Sequence, residues 1–199
     1  MLSWLRNSPL PVWLVLALPA ITLLTPIVVQ GQIPRNFLVE TGEWSVRLMI
    51  LTLAITPLSL MFKGQGWVLW LLRRRRWFGV ASFAYAALHV GFYVWDIRSL
   101  GRILFVAERL YAWPGWVAIG LMIPLALTSN SWSQRALAVN WKRLQRLTYI
   151  AALLTALHWL LLTRGPSAWV QIGLIAGLEI IRIGYRVGQW RRLSQQAAR

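Results

Sequence analysis

The sequence has no cysteine, two histidines and five acidic residues, and each shortage narrows the functions open to it. Without cysteine, the chain can form no disulfide and can bind no iron–sulfur cluster through thiolates. No G-x-G-x-x-G fingerprint occurs, which disfavours a self-contained reductase with its own dinucleotide-binding domain. The scarcity of acids beside 21 lysines and arginines leaves a net charge of +16, a balance that can indicate nucleic-acid binding.

Long apolar runs separated by short basic segments explain this charge better. The chain is 58% hydrophobic, whereas soluble domains are about 45–50% apolar. A helix of about twenty apolar residues crosses a bilayer, and basic residues between such runs follow the positive-inside pattern. Most of the 14 tryptophans lie near the ends of the runs, where interfacial belts form. We therefore expect an all-α, polytopic membrane protein with no nucleic-acid partner.

Six transmembrane helices are predicted in a single transmembrane domain that covers residues 1–199. The expected spans are 10–30, 44–62, 77–95, 114–128, 147–163 and 168–185. The first run could be a signal peptide, but its length, its prolines and the lack of a small-x-small cleavage site favour an uncleaved span. Basic residues concentrate after the second and fourth spans and in the tail, which predicts that both termini are cytoplasmic.

Both histidines lie inside apolar runs. His89 lies about 18 Å along the third predicted span and His158 about 16 Å along the fifth, and both spans run outward. Two imidazoles that bind one heme iron must lie at equal depth on facing helices, with their nitrogens about 4 Å apart. The pattern favours His89 and His158 as axial heme ligands, and it makes Tyr85, on the same helical face as His89, a candidate heme-pocket residue. The competing interpretation is that each histidine only hydrogen-bonds a neighbouring helix.

Arginines near the span ends are candidate partners for ligand anions. Arg47 and Arg164 lie on the predicted outer side, where they could contact heme propionates, although Arg47 could equally pair with Glu43 four residues earlier. A basic cluster at the predicted cytoplasmic end of the third span either anchors the helix on anionic lipid or contacts a phosphate. It consists of Arg73, Arg74, Arg75 and Arg76.

Three segments resemble a branch of the ferric-reductase-like transmembrane superfamily, the heme-binding membrane subunits of periplasmic methionine sulfoxide reductase systems. They are TGEWSVRLMILTLAITPL (41–58), RRRRWFGVASFAYAALH (73–89) and LALTSNSWSQRALAVNWKRLQRLTYIAALLTALHWL (125–160). The resemblance implies a b-type cytochrome of the bacterial inner membrane that carries heme b and FMN. It implies that electrons pass from the quinone pool to a periplasmic, molybdopterin-containing catalytic subunit. The resemblance matches His89 and His158 to the family's heme histidines. It also implies that the arginine cluster could contact the phosphate of FMN.

One position departs from the family pattern and limits the expected number of hemes. Gln145 stands where the family often has a third histidine, and an amide is a poor ligand for low-spin heme iron. One heme is therefore expected, unless a methionine such as Met61 replaces the missing ligand. The chain is expected to be an electron-transfer subunit rather than the catalytic subunit. The alternatives are a related electron-transfer protein with a different acceptor, and a small non-redox transporter or assembly protein.

Overall fold

A computed structural model describes residues 8–31, 33–34, 36–163 and 165–197, and it is all-helical in these ranges, as predicted. The helices are α1 (Leu10–Gln30), α2 (Phe37–Met61), α3 (Gly66–Ile97), α4 (Leu100–Ala107), α5 (Trp113–Leu127), α6 (Ser131–Gln145), α7 (Leu147–Leu162) and α8 (Pro166–Ala197).

Five helical stretches in the described part of the chain are long and apolar enough to cross a membrane. They cover residues 10–30, 37–61, 66–97, 131–162 and 168–196, so that α6 and α7 count as one stretch. Helix α5 has 15 residues and is therefore about 22 Å long, shorter than a hydrocarbon core of about 30 Å. The count of six spans and the cytoplasmic position of both termini stay predictions.

The basic segment 63–76, which lies between the second and third predicted spans, is helical from Gly66 onward. Residues 67–78 contain no glycine or proline, so nothing in this stretch interrupts the helix that continues to Ile97. The polar segment that begins at Ser129 is also mostly helical. The side chain of Asn130 caps α6 by accepting a hydrogen bond of 2.7 Å from the backbone N–H of Ser133. The first basic segment therefore extends α3. The second forms α6, which is kinked at Ala138, where φ is 44° and ψ is −116°.

Helix α2 is the central helix of the bundle, and half of its apolar window is buried. It packs most extensively against α3, while α5 packs mainly against α7, and contacts between α3 and α5 join the two pairs. Ser45 and Ser82 tie α2 to α3 reciprocally: each hydroxyl donates to the other residue's carbonyl oxygen, at 2.9 and 2.8 Å. Such interhelical hydrogen bonds hold helices together where lipid provides no hydrophobic driving force.

The outer helices expose much apolar surface. Val28 on α1 is 82% exposed and Leu153 on α7 is 70% exposed, and many other large apolar side chains point outward as well. Soluble monomers rarely expose contiguous apolar surface on this scale, whereas lipid covers it at no cost. The apolar exterior agrees with the membrane location predicted from composition.

Candidate functional site

Helices α2, α3, α5 and α7 enclose a cavity of about 410 Å³ that contains both histidines in its wall. His89 comes from α3 and His158 from α7, so the structure brings together two residues that are 69 positions apart in the sequence. The rest of the wall is mainly apolar or small, and includes Gly42, Val46, Ala86, Gly115, Met122 and Leu162. We call this the histidine cavity. Its volume lies within the range of about 300–1,000 Å³ that is typical of ligand pockets.

A backbone carbonyl fixes the orientation of each imidazole. The Nδ1 atom of His89 lies 2.8 Å from the carbonyl oxygen of Leu38, and that of His158 lies 2.6 Å from the carbonyl oxygen of Tyr111. A carbonyl oxygen can only accept, so Nδ1 must carry the hydrogen in both rings. In a neutral imidazole the lone pair then belongs to Nε2, the form in which histidine binds a metal.

Two glycines lie directly against the imidazole rings. A Cβ atom added to Gly115 would lie 2.9 Å from both Cε1 and Nδ1 of His158, closer than real Cβ contacts come. A Cβ atom added to Gly42 would lie 3.2 Å from Nδ1 of His89 and 3.4 Å from its Cε1. Each ring therefore packs on the backbone of the neighbouring helix, where a side chain would displace it.

The donor set of the cavity fits a heme better than a bare metal ion. Within the described residues, no group of three or more His, Cys, Asp or Glu side chains could hold a metal ion. A porphyrin supplies four nitrogen ligands of its own, so the protein needs to add only one or two axial ligands. Two neutral imidazoles in an apolar wall, each hydrogen-bonded through Nδ1, match that requirement.

Arg47 and Arg164 were predicted to contact heme propionates. Arg47 forms an ion pair with Glu43, which lines the histidine cavity, and Arg47 also stacks on Trp44 at 5.1 Å. Of the two roles predicted for Arg47, the structure therefore contains the pairing with Glu43. Arg164 lies outside the described residues.

Tyr85 is buried, but it is not part of the cavity wall. Its hydroxyl donates to the carbonyl of Leu16 at 2.7 Å and accepts from the N–H of Ala20 at 2.9 Å. Tyr85 therefore fastens α1 to α3. Tyr85 precedes His89 by four residues and so lies on the same face of α3. At its position, however, that face contacts α1 and not the histidine cavity.

A second cavity, of about 500 Å³, is strongly basic. Its wall includes two of the four clustered arginines, Arg75 and Arg76, and three further cations: Lys142, Arg146 and Arg186. We call it the basic cavity. An anionic ligand of the phosphate or carboxylate class would match this charge.

The other two clustered arginines do not line the basic cavity. Arg74 is buried between the rings of Trp70 and Trp77, at 4.3 and 5.4 Å from their centres. Arg73 is exposed and is not part of the wall of the basic cavity. A helix places successive residues 100° apart, so four consecutive arginines cannot all face one ligand.

Gln145 also lines the basic cavity, and its amide is already engaged. Its Nε2 donates to the carbonyl of Leu125 at 3.2 Å and lies 3.3 Å from the hydroxyl oxygen of Thr128. These contacts join the end of α6 to the end of α5. Met61, the alternative ligand, is the last residue of α2 and is 43% exposed.

Sequence reasoning missed several residues of both cavities. Gly42 and Gly115 carried a weak signal, because each stands near the start of an apolar helix that faces a histidine-bearing helix. Three cations of the basic cavity were interpreted only as topology signals, since their convergence depends on how α6 and α8 pack. These are Lys142, Arg146 and Arg186.

Comparison with known proteins identifies the family. The family model described as "Ferric reductase like transmembrane component" matches residues 41–156, a stretch that includes His89 and ends just before His158. A Xanthomonas campestris pv. campestris (strain B100) protein named "Protein-methionine-sulfoxide reductase heme-binding subunit MsrQ" is 39% identical over 158 residues, covering 78% of this chain and 69% of the relative.

Another relative of the same name, from Rhizobium meliloti (strain 1021), is 36% identical over 172 residues, covering 81% of this chain and 77% of the relative. A third, from Xanthomonas axonopodis pv. citri (strain 306), is 38% identical over 158 residues, covering 78% and 69%. The chain belongs to the ferric reductase-like transmembrane family, within its MsrQ branch.

Proposed function

We propose that this protein is the heme-binding electron-transfer subunit of a methionine sulfoxide reductase system, with one heme b held between His89 and His158. The observation that carries the proposal is the pair of hydrogen bonds from the two Nδ1 atoms to backbone carbonyls, in two histidines that line one cavity. The names of the relatives, heme-binding subunits of a protein-methionine-sulfoxide reductase, support the same function.

The protein's own part in this function is binding and tuning rather than bond-making. A heme bound here supplies reversible one-electron chemistry at its iron. His89 and His158 would bind the iron through their imidazoles, and the carbonyls of Leu38 and Tyr111 would raise the basicity of those rings. The apolar wall excludes water, which also influences the redox potential. The chain therefore acts as an electron carrier beside a separate catalytic subunit.

FMN is the second proposed cofactor, and the basic cavity is its proposed site. Arg75 and Arg76 line this cavity, and the guanidinium fork matches the geometry of a phosphate oxygen pair. Lys142, Arg146 and Arg186 add positive charge to the same wall. For Arg73, which is exposed, contact with anionic lipid is the proposed role.

The two cavities suggest a direction for electron transfer across the bacterial inner membrane. The basic cavity lies beside the segments that the positive-inside rule assigns to the cytoplasm, together with both termini in a six-span topology. The histidine cavity lies beside Leu38 and Tyr111, near the first residues of α2 and α5, and thus toward the opposite side. Electrons from the quinone pool, directly or through FMN, would then leave on the periplasmic side to a molybdopterin-containing catalytic partner.

Absorbance spectroscopy tests the heme proposal. The protein, purified in detergent from heme-replete cells, is expected to show a reducible b-type spectrum, which His89→Ala and His158→Ala each remove. Gln145→Ala serves as the control, because Gln145 contacts α5 and lies in the other cavity. A colourless wild-type protein, or full heme content in both histidine variants, would refute the proposal. Reduction of the heme by a quinol in membranes tests the proposed electron source.

A further inference from the structure

We infer that Gly42 and Gly115 are positioning residues for the two imidazoles, and that the helix pairs α2–α3 and α5–α7 hold their histidines by the same repeated arrangement. In each pair, a carbonyl from the first turn of the first helix, or from the turn before it, is followed four residues later by a glycine of that helix, and the second helix supplies the histidine. The pairs are Leu38 and Gly42 for His89, and Tyr111 and Gly115 for His158. The inference rests on the proposed heme function and adds the residues that set ring orientation.

The spacing of four residues between carbonyl and glycine has a physical reason. In a helix, each side chain leans toward the N-terminus and covers the turn before its own Cα. The side chain at position n+4 therefore shields the carbonyl of residue n, as applies to Leu38 within α2. Tyr111 lies in the turn two residues before α5, where the N–H of Gly115 bonds to the carbonyl of Ala112 instead. Glycine removes that shield and opens the carbonyl oxygen to an imidazole N–H. The carbonyl of Leu38 also accepts from the hydroxyl of Thr41 at 3.1 Å. The same glycine provides the flat surface on which the ring packs.

The ring of His158 lies closer to Gly115 than the ring of His89 lies to Gly42. An alanine should therefore have a larger effect at 115 than at 42. At Gly115, a Cβ atom would meet three ring atoms of His158 at 2.9, 2.9 and 3.1 Å. At Gly42, the corresponding distances to His89 are 3.2, 3.4 and 3.8 Å. An alanine at 115 must therefore displace the ring or separate α5 from α7. An alanine at 42 requires a shift of only a few tenths of an ångström.

Because each ring is hydrogen-bonded to a carbonyl, of Leu38 or of Tyr111, a change in ring orientation is expected to change the reduction potential of the iron. An imidazole pushed away from the glycine lengthens its Nδ1–H bond to the carbonyl, which lowers the basicity of Nε2. A less basic ligand binds ferric iron more weakly, so the reduction potential rises. Rotation of the ring about its bond to the iron also changes the electron paramagnetic resonance signal of a low-spin ferric heme. A glycine needed only for helix packing would alter neither property.

The test compares four glycine-to-alanine variants of the purified holoprotein. Gly115→Ala and Gly42→Ala alter the two ring contacts. Gly120→Ala, on the same helix as Gly115, and Gly91→Ala, on the same helix as His89, are matched controls, because a Cβ at either position meets nothing within 4 Å. The measurements are heme affinity by competition with apomyoglobin, the midpoint potential and the electron paramagnetic resonance spectrum. Circular dichroism and gel filtration check folding.

We expect Gly115→Ala to lose about 10- to 100-fold in heme affinity, as for other variants that disturb the partner of a metal ligand. Its midpoint potential should rise and its low-spin signal should move. Gly42→Ala should change in the same direction by less, and both controls should match the wild type. Wild-type signals and affinity in Gly115→Ala would overturn the inference while leaving the heme function intact.

Two further results separate the possible failures. If Gly115→Ala does not fold, Gly42→Ala decides alone, because its contact with the ring is milder. An unchanged signal and affinity in Gly42→Ala would then overturn the inference. If the wild-type protein binds no heme, the proposed function itself fails, and that result is seen before any glycine variant is made.

Discussion

His158 is bonded through Nδ1 to the carbonyl oxygen of Tyr111, at 2.6 Å and across 47 positions of sequence. The bond connects the C-terminal part of α7 to the turn that precedes α5, and it fixes which ring nitrogen carries the proton. The bond from His89 to the carbonyl of Leu38 does the same across 51 positions. The structure thus prepares two imidazoles in the same protonation state around one cavity.

Tyr85→Phe is expected to loosen α1 while leaving the heme unchanged. The variant loses the hydroxyl that donates to Leu16 and accepts from Ala20, at a cost of about 1 kcal/mol in unfolding free energy. Thermal unfolding in detergent, with the heme spectrum recorded in parallel, measures both effects. Tyr93→Phe is the control: it lines the histidine cavity, and its buried hydroxyl has no partner among the described residues. Loss of heme in Tyr85→Phe would contradict this expectation and would show that Tyr85 contributes to heme binding.

Arg76→Gln is expected to weaken FMN binding by about tenfold or more. A hydrogen bond to a charged group contributes about 1.5–3 kcal/mol, and about 1.4 kcal/mol corresponds to a factor of ten. Arg73→Gln removes the same charge from the same helix, but Arg73 is exposed and does not line the basic cavity. FMN released from the purified protein and measured by fluorescence compares the two variants. Equal losses in both would indicate a general charge effect instead of a site.

Gln145→Ala is expected to reduce stability without reducing heme content. The substitution removes an amide that donates to Leu125 and contacts Thr128, at a cost of about 1–2 kcal/mol. Gln134→Ala is the matched control, because Gln134 lies exposed on the same helix. Thermal unfolding and heme content per polypeptide are measured together. A fall in heme content of Gln145→Ala by about half would mean that a second heme depends on this residue.

The all-helical fold was predictable from sequence because membrane helices are defined by local composition. The length and apolar character of α1 and α2 follow from runs of residues that need no long-range information. The same local signal left residues 66–76 and 131–145 between the predicted spans, because a basic helix that extends beyond the bilayer has the composition of a loop. Their helical state depends on propensity and capping, as at Asn130, more than on hydropathy.

The candidate site was predictable only in part. Equal depth along two helices predicted that His89 and His158 could meet, and both do line one cavity. The carbonyls of Leu38 and Tyr111 could not be predicted, because every residue has a carbonyl and only packing selects one. Tyr85 shows the converse limit: helical periodicity gave its face correctly, but only the position of α1 decides what that face contacts.

The most direct test of the central claim is the number and ligation of hemes in the purified wild-type protein. Heme content per chain, combined with near-infrared magnetic circular dichroism of the ferric form, identifies both axial ligands. We predict one low-spin heme per chain with two imidazole ligands, which are His89 and His158. A protein without heme, a heme with a single imidazole ligand, or two hemes per chain would contradict this account.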